Sequence, residues 1–557
     1  MKDRVFGIEN EFGIMVEKKG EGVLDFDSFS PAPCTLPEKD RIFYRDAESL
    51  LRVQLITAAS LRGVRGRCLA GGTGDRLWLG NGGCFYIDTG NHPEYASPEC
   101  RRVRDAVLYN KAGEKIALKI WNEWNTNNER FVLFKNNTEL DGTGITLSEN
   151  FLENVSFGCH ENYLTYGKES LIKETASTDW AGSEDASREI APLVAFLVTR
   201  QIIDGSGGWV DTRTGAYCFS PRALFLNEVF SISTTSVSPR GILNTRSEHH
   251  LGDGKIELPG MYRLHLIAGD PNILEFALFM KIGMTALVLP LIETMVLSGA
   301  FPRIANPVKT IQDLSCSCDP RYRVRFINGS SMTALKIQEI LCEAAGNYLR
   351  RTTFESEESA DEAFLIQKYW EETLTALARN DEEWMVGRLD WATNKFLAEE
   401  RIRISREKKK KEGRPLSQQT IRSSVDLLYR RLDERGLGAH VNRRWKAKRI
   451  LSDDEILRAT VSPPQDTRAR IRGEVVSSFE KGDPGDMEIS RVDWGSVCFQ
   501  SKTGYTSSKQ VLCRTSNPLS SHAPWFDKIM RGEWKDLELS SQKHTWTPEP
   551  INLGMVY

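Results

Sequence analysis

Two glutamates separated by a single residue, Glu9 and Glu11 in the run Arg4-Val-Phe-Gly-Ile-Glu-Asn-Glu-Phe-Gly13, constrain this chain more than any other feature. Side chains at i and i+2 share one face of a β-strand, so the two carboxylates project together. A second run, Phe85-Tyr-Ile-Asp-Thr-Gly-Asn-His-Pro-Glu-Tyr-Ala-Ser-Pro-Glu99, repeats the arrangement with Tyr86 and Asp88. Mg²⁺ takes one or two carboxylates plus substrate phosphates rather than an all-protein cage, so a few spaced acids suffice for an ATP site. The spacing predicts a metal and nucleotide site carried on strands. The competing reading is a solvated strand face, because charged residues mostly lie exposed.

Length and charge narrow the rest. A chain of 557 residues has room for two or three domains. With 40% hydrophobic and 27% charged residues it has the makings of a large core. A net charge of −3 from 73 basic and 76 acidic residues gives no electrostatic case for nucleic acid. The 11 cysteines are scattered and odd in number, without zinc-finger spacing, and Cys316-Ser-Cys318 reads as a reduced loop. The N-terminus moves straight into the first motif without an apolar leader, which predicts a cytoplasmic protein. Residues 273–299 are the most apolar stretch, but Glu275, Lys281, Pro290 and Glu293 interrupt it. It is read as a buried helix ended or kinked near Pro290 rather than a membrane span. The run 190–203 reads the same way, with Pro192 in the first helical turn.

Strands are expected between Val5 and Tyr95, around an interval at 14–78 whose Ser-Pro-Ala-Pro stretch and Ala70-Gly-Gly-Thr-Gly74 are loop signals. Those glycines lack the Gly-Lys-Ser/Thr ending of a P-loop and read as a turn. Residues 105–122 have helical spacing, and Phe131-Val-Leu-Phe134 is a strand leading to Lys135-Asn-Asn137, whose asparagines sit at a strand end where layered folds meet ligands but equally form a common turn pair. Residues 139–155 read as a long loop. In the following strand His160 and Glu161 alternate faces, so at most one reaches the site. Residues 332–412 have the composition and spacing of a helical layer, with Lys408-Lys-Lys-Lys411 as a solvated helix end or loop. The division expected is a catalytic domain over 1–449 and a small C-terminal domain over 450–557, whose Trp525, Trp534 and Trp546 suggest packing.

Taken in order, Gly7-Ile-Glu-Asn-Glu-Phe-Gly13, Asp88 with His92-Pro-Glu-Tyr95, Leu133-Phe-Lys-Asn-Asn-Thr138 and Gly158-Cys-His-Glu-Asn-Tyr-Leu164 resemble the Pup ligase and Pup deamidase family. Thr199-Arg-Gln201, Asn244-Thr-Arg246, Arg263-Leu-His265, Gly269-Asp270, the segment Pro463 to Glu474 and Val492-Asp-Trp494 continue the resemblance in the family's order. It covers most of the chain from residue 4 to about 496. The resemblance implies an α+β fold: a glutamine-synthetase-like large domain whose antiparallel-rich sheet carries the site, packed by helices. It also implies ATP and Mg²⁺ as cofactors, with a Pup-like small protein modifier and lysine-bearing proteins as partners of a bacterial proteasome system, and neither nucleic acid nor membrane.

By the same resemblance Glu9, Tyr86 and Glu94 match magnesium-site residues, with Glu11 beside them, and Asp88 matches the catalytic base or nucleophile. Ser97, in place of threonine, and Trp494 match nucleotide contacts. Cys84 stands where relatives have an ATP-contacting arginine, and a thiol lacks a guanidinium's charge and forked donors, so Arg76, Arg52 or a residue of the unmatched interval would have to substitute. Arg200, Arg246 and Arg263 could meet a phosphate or carboxylate through paired donors. Arg246, followed by Glu248 and His250, is the first choice, whereas Arg200 could simply pair with an acid. His249 and His250 read equally as metal ligands or surface residues. The wording of the motifs favours the ligase branch, which joins a terminal glutamate's side-chain carboxylate to lysines. The deamidase branch, and a weakly catalytic modifier-binding protein, remain the alternatives. The Lys408–Lys411 run could also steer an acidic modifier.

Overall fold

The computed structural model describes residues 2–18, 76–88, 92–123, 125, 129–135, 156–166, 184–234, 239–246, 260–297, 299–412, 416–444, 447–481, 487–501, 511–515, 517–531 and 533. Outside them lie most of the 14–78 interval with Arg52, the pair Asn136-Asn137, the 139–155 loop, Glu248 to His250, Trp534 and Trp546, and also the side chains of Lys408 to Lys411.

The first run is a strand, β1 (Phe6–Glu11), because Phe6 and Ile8 are buried on one side while Gly7, Glu9 and Glu11 occupy the other. It is followed by β2 (Gly13–Lys18), β3 (Arg76–Trp78), β4 (Cys84–Asp88), β5 (His92–Ala96), β6 (Glu129–Phe134) and β7 (Cys159–Tyr166). Then come β8 (Gly208–Asp211), β9 (Ala216–Cys218), β10 (Glu228–Ser231), β11 (Gly241–Asn244) and β12 (Met261–Leu266). An eight-stranded sheet has the order β10-β11-β12-β7-β1-β5-β4-β3. Every neighbouring pair in it is antiparallel except β10 with β11. This is the antiparallel-rich sheet packed by helices that the resemblance implies. β2 pairs with β6, and β8 with β9, as separate ribbons.

The core face of the sheet, which includes Phe6, Ile8, Cys159, Tyr163, Leu264 and Leu266, packs on helices and forms the main apolar cluster. At its centre the helix Glu275–Glu293 is buried from Glu275 to Ile292. It is long and apolar enough to cross a membrane by composition alone, yet the protein covers all of it. Pro290 stands within its last turn, where it removes one i to i−4 hydrogen bond, and the helix ends three residues later. The helix over Glu184–Thr199 begins earlier than the apolar run suggested, so Pro192 lies inside it and not in its first turn. Helices at Ala334–Leu349, Glu357–Arg379 and Asp390–Glu412 form the expected layer, the first two joined by the turn at 350–356 and the last two through a short helix, Glu382–Met385. The small hairpin β13 (Arg323–Arg325) and β14 (Ser331–Thr333) precedes them.

Toward the C-terminus, Leu451, Ile456 and Ala459 still belong to the large core. The helix Arg468–Lys481 and the meander β15 (Met487–Asp493), β16 (Ser496–Ser501) and β17 (Val511–Arg514) share a second apolar cluster with Trp78 and Cys84 of the main sheet. Trp525, at the start of the helix Pro524–Met530, meets Phe499 edge to face at 6.2 Å, so this part of the tail packs. None of the nine described cysteines is in a disulfide, and Cys318 caps the helix Pro307–Ser317 in the left-handed conformation.

Candidate active site

Directly opposed residues of antiparallel strands point to the same face, so the register defines the site. One row runs Arg76, Tyr86, Glu94, Glu11 across β3, β4, β5 and β1. The next runs Trp78, Cys84, Ala96, Glu9, His160 from β3 to β7. Asp88, opposite His92, extends the same face, as do Asn162, Arg263 and His265 on β7 and β12. The sheet therefore gathers Glu9, Glu11, Tyr86, Asp88 and Glu94 on one surface.

Two groups of potential ligand atoms result. Carboxylate oxygens of Glu11, Asp88 and Glu94 lie within 4.8 Å of one another. So do atoms of Glu9, His160 and His265. Burial raises the Glu94 carboxyl, and the charges of Asp88, Glu9 and Glu11 push it higher still, well above the usual range. Its Oε2 is buried without a hydrogen-bond partner. A divalent cation among hard oxygens satisfies both conditions at once, so this donor set fits Mg²⁺. Glu11 behaves oppositely: burial works against its charge, but His92 and the Gly158 amide hold it down to about 2. His92 Nδ1 and Gly158 N both lie 2.7 Å from Glu11 Oε2, and the His92 ring stacks on Phe157 at 4.5 Å. Gly158 is needed here, because a Cβ would stand 2.8 Å from His160 Nε2 and 3.3 Å from Glu11 Cδ.

Glu9 is held by a second set of partners. His160 Nδ1 lies 3.2 Å from Oε2, and Asn162 donates to Oε1 at 3.0 Å. Arg263 in turn donates through Nε to Asn162 Oδ1 at 2.7 Å. Burial raises the Glu9 carboxyl, but the His160 bond and the charges of His265 and Arg263 outweigh it and leave it well below the usual range. Tyr86 is a neutral phenol: burial, then Glu94 and Glu9, push its pKa far up.

Alternation along β7 decides between His160 and Glu161. His160 faces the acids, whereas Glu161 lies beneath the sheet and accepts from Arg200 Nη1 at 2.9 Å and Nη2 at 2.5 Å. Arg200 is thus a core partner and not a phosphate ligand. Lys135 is also structural, fully buried against Asn110, Glu114 and the Asn272 carbonyl. Asp270 caps backbone, accepting from the Ser206 and Arg222 amides and the Ser220 hydroxyl.

A cleft opens along the first part of β1, lined among others by Gly7, Glu9, Ser97, Asn162, Arg263 and Trp494. Ser97 Oγ accepts from Ile8 N at 2.9 Å and donates to Pro98 O at 3.2 Å, so the hydroxyl also ties β1 to β5. Trp494 sits in the two-residue turn between β15 and β16. Its ring meets Trp78 edge to face at 5.0 Å, and Arg472 lies over both rings, 4.8 Å from Trp494 and 5.2 Å from Trp78. Arg246 lies exposed just beyond β11, with its amide bonded to Asn244 Oδ1 at 2.9 Å and Nη1 3.4 Å from the Thr234 hydroxyl. Three strand steps separate β11 from β1, so Arg246 stands at the rim and outside the acidic cluster.

Cys84 is buried in the apolar cluster with Trp78, and burial pushes its thiol up to about 12. Among the guanidiniums, Arg76 acts most strongly on that thiol, and its cation lies 5.0 Å over the Tyr86 ring. Cys84, Tyr86, Asp493 and Glu9 all favour its charge.

His265, His92 and Asn162 reach the site without having been singled out for it, and His160 had been weighed only against Glu161. The signal was the spacing: His160 with Asn162, and Arg263 with His265, each sit two apart on a strand, as Glu9 and Glu11 do.

The chain is similar to known proteins over most of its length. The sequence model of the family described as Pup-ligase protein matches residues 4–498. A Pup–protein ligase of Acidimicrobium ferrooxidans is 33% identical over 487 residues, covering 86% of this chain and 90% of that protein. The fold is similar to that of the ligase PafA in its crystal complex with the prokaryotic ubiquitin-like protein Pup, with a TM-score of 0.70, 24% identity, and coverage of 97% of this chain and 92% of the other. It is also similar to PafA in complex with ADP, with a TM-score of 0.67, 23% identity, and coverage of 93% and 100%. The chain belongs to the Pup-ligase protein family.

Proposed function

We propose that this protein joins the side-chain carboxylate of the C-terminal glutamate of a Pup-like modifier to lysine side chains of other proteins, driven by ATP, in the cytoplasm. The products are thereby marked for a bacterial proteasome. The observation that carries the reading is that the Glu11, Asp88 and Glu94 oxygens gather on the same sheet face as Glu9, which lines the cleft with Gly7 and Trp494, in a chain of this family. A relative named Pup–protein ligase and the ADP complex of PafA support the substrate and the nucleotide.

The reaction has two transfers. The glutamate oxygen bonds to the γ-phosphorus of ATP as the bond to ADP breaks, giving an acyl phosphate. A lysine nitrogen then bonds to the acyl carbon, inorganic phosphate leaves, and the nitrogen loses a proton. Glu9, Tyr86 and Glu94, with Glu11 beside them, are the residues that would hold Mg²⁺. When bound, the ion offsets charge gathering on phosphoryl oxygens. Asp88 takes the lysine proton, since a protonated amine is no nucleophile. Ser97 and Trp494 hold the nucleotide, while Arg263, with Arg246 at the rim, offsets phosphate charge. Arg76 supplies the cation that Cys84 does not.

The test is incubation with Mg²⁺, ATP, a lysine-bearing acceptor and Pup-like proteins ending in Glu or Gln, read by intact mass. An isopeptide-linked species with ADP release is expected from the Glu form. Ammonia loss from the Gln form without conjugation would replace this reading with a deamidase.

A further inference from the structure

Two buried arginines at the far end of the acidic face have guanidiniums that form no ion pair among the described residues. Arg222 is 1% exposed and Arg240 6%. Arg222 donates through Nε to Ile267 O at 2.9 Å and through Nη1 to Ser156 Oγ at 2.7 Å, which leaves Nη2 buried without a partner. Arg240 Nε is likewise buried and unpartnered. Burying cations without matching acceptors is costly, and such groups persist where a ligand completes them.

Their position is set by two hydrogen bonds of Arg222 and by the place of Arg240 in the chain. Ser156, which Arg222 grips, is two residues before Gly158, whose amide holds Glu11. Ile267, its other partner, directly follows β12, the strand of His265. Arg240 leads into β11, beside β12. Glu11 electrostatically favours the charge of both arginines, as Asp270 also does that of Arg222, and Arg222 opposes that of Arg240, so both cations lie in the neighbourhood of Glu11. The nucleotide cleft opens at the opposite end of β1, where Gly7 and Glu11 are roughly 13 Å apart at ~3.3 Å per residue.

We propose that Arg222 and Arg240 form an oxyanion pocket for the free α-carboxylate of the modifier's terminal residue, entering from the side opposite the nucleotide. This rests on the ligase reading. A terminal glutamate carries two carboxylates, and only the side-chain one is to meet the γ-phosphorus. Seating the other between two guanidiniums selects the reacting group and offsets repulsion between substrate and phosphates.

The test compares conjugation of a Pup-like protein ending in glutamate, prepared with a free α-carboxylate or as the α-amide. With wild-type protein the amide is expected to lower kcat/KM about ten- to a hundred-fold, the scale of a charged hydrogen-bonded pair. Arg240→Gln is expected to impose a similar loss on the free acid and little further loss on the amide, with the KM for ATP unchanged. Arg240→Lys keeps the charge and should recover part of the loss, separating a binding role from misfolding. A rise in the KM for ATP in Arg240→Gln would assign the pair to a nucleotide phosphate and overturn the proposal. Equal losses on acid and amide would overturn it in favour of a structural role. No conjugation of either form by the wild type would instead sink the ligase reading, and this inference with it.

Discussion

Glu99 and Arg472 form a buried ion pair that joins the strand region of the acids to the turn that carries Trp494. Arg472 Nη1 also donates to the Trp494 carbonyl at 2.8 Å, and Arg468 Nε donates to the other Glu99 oxygen at 2.6 Å. The wall of the cleft is thus made by residues 373 positions apart in the chain.

Removing this carboxylate strands two arginines that are each 2% exposed. Glu99→Gln is expected to cost ~3–5 kcal/mol, measured by urea unfolding. It should also weaken nucleotide binding through Trp494. Burial opposes the Glu99 charge, but Arg472 and Arg468 lower its pKa to about 2. A depressed carboxyl contributes stability above its unfolded pKa and loses it as pH falls through the folded one. The acid limb between about 4.5 and about 2 should therefore be shallower in Glu99→Gln.

Glu94 has the reverse sign. Its folded pKa is raised, so without metal the folded state holds a proton that the unfolded chain has released, and stability falls as pH climbs above 4.5. Mg²⁺ should restore stability increasingly with pH, and Glu94→Gln should abolish that dependence. Thermal melts in EDTA and in Mg²⁺ across the pH range measure it; parallel curves for wild type and variant would reject the metal assignment.

Asp88→Asn should leave nucleotide binding nearly intact and slow conjugation by about 10²–10⁴, the usual scale of an acid-base group. Single-turnover conjugation with bound ATP is the measurement, and an unchanged rate removes Asp88 from proton transfer.

Arg76→Gln should weaken ATP binding about tenfold or more, by loss of a charged contact near Tyr86. Cys84→Arg places a guanidinium in an apolar cluster and should lower the melting temperature without improving affinity. Calorimetric titration of both variants decides; tighter ATP binding by Cys84→Arg would show that Arg76 does not compensate.

Gly158→Ala would bring a methyl group against His160 and Glu11, so the Mg²⁺ concentration needed for half-maximal ATP turnover should rise several-fold. A titration that overlays the wild type would mean that the neighbours yield without cost.

What could be read from the sequence followed strand periodicity. Glu9 with Glu11 and Tyr86 with Asp88 were readable because two-residue spacing is a local property of a strand. Which strands adjoin is not local. Nothing in the runs around Glu9 and His265 says that β7 lies between them, so the histidines were left unassigned. Glu161 with Arg200 and Glu99 with Arg472 escaped for the same reason: a charged residue in a motif looks alike whether it meets substrate or the core. Pro192 was misplaced because apolar spacing marks the buried part of a helix and is silent about its polar first turns. Arg246 drew attention through its motif, and only the strand order puts it at the rim.

The helix Glu275–Glu293 has a consequence for how the protein comes into being. Its apolar surface is covered in part by Ala334–Leu349 and Glu357–Arg379, which leave the ribosome later. At ~5–20 residues per second, that adhesive segment waits on the order of ten seconds for its cover. Recombinant yield should therefore track the supply of cotranslational chaperones, whatever the thermodynamic stability of the finished protein.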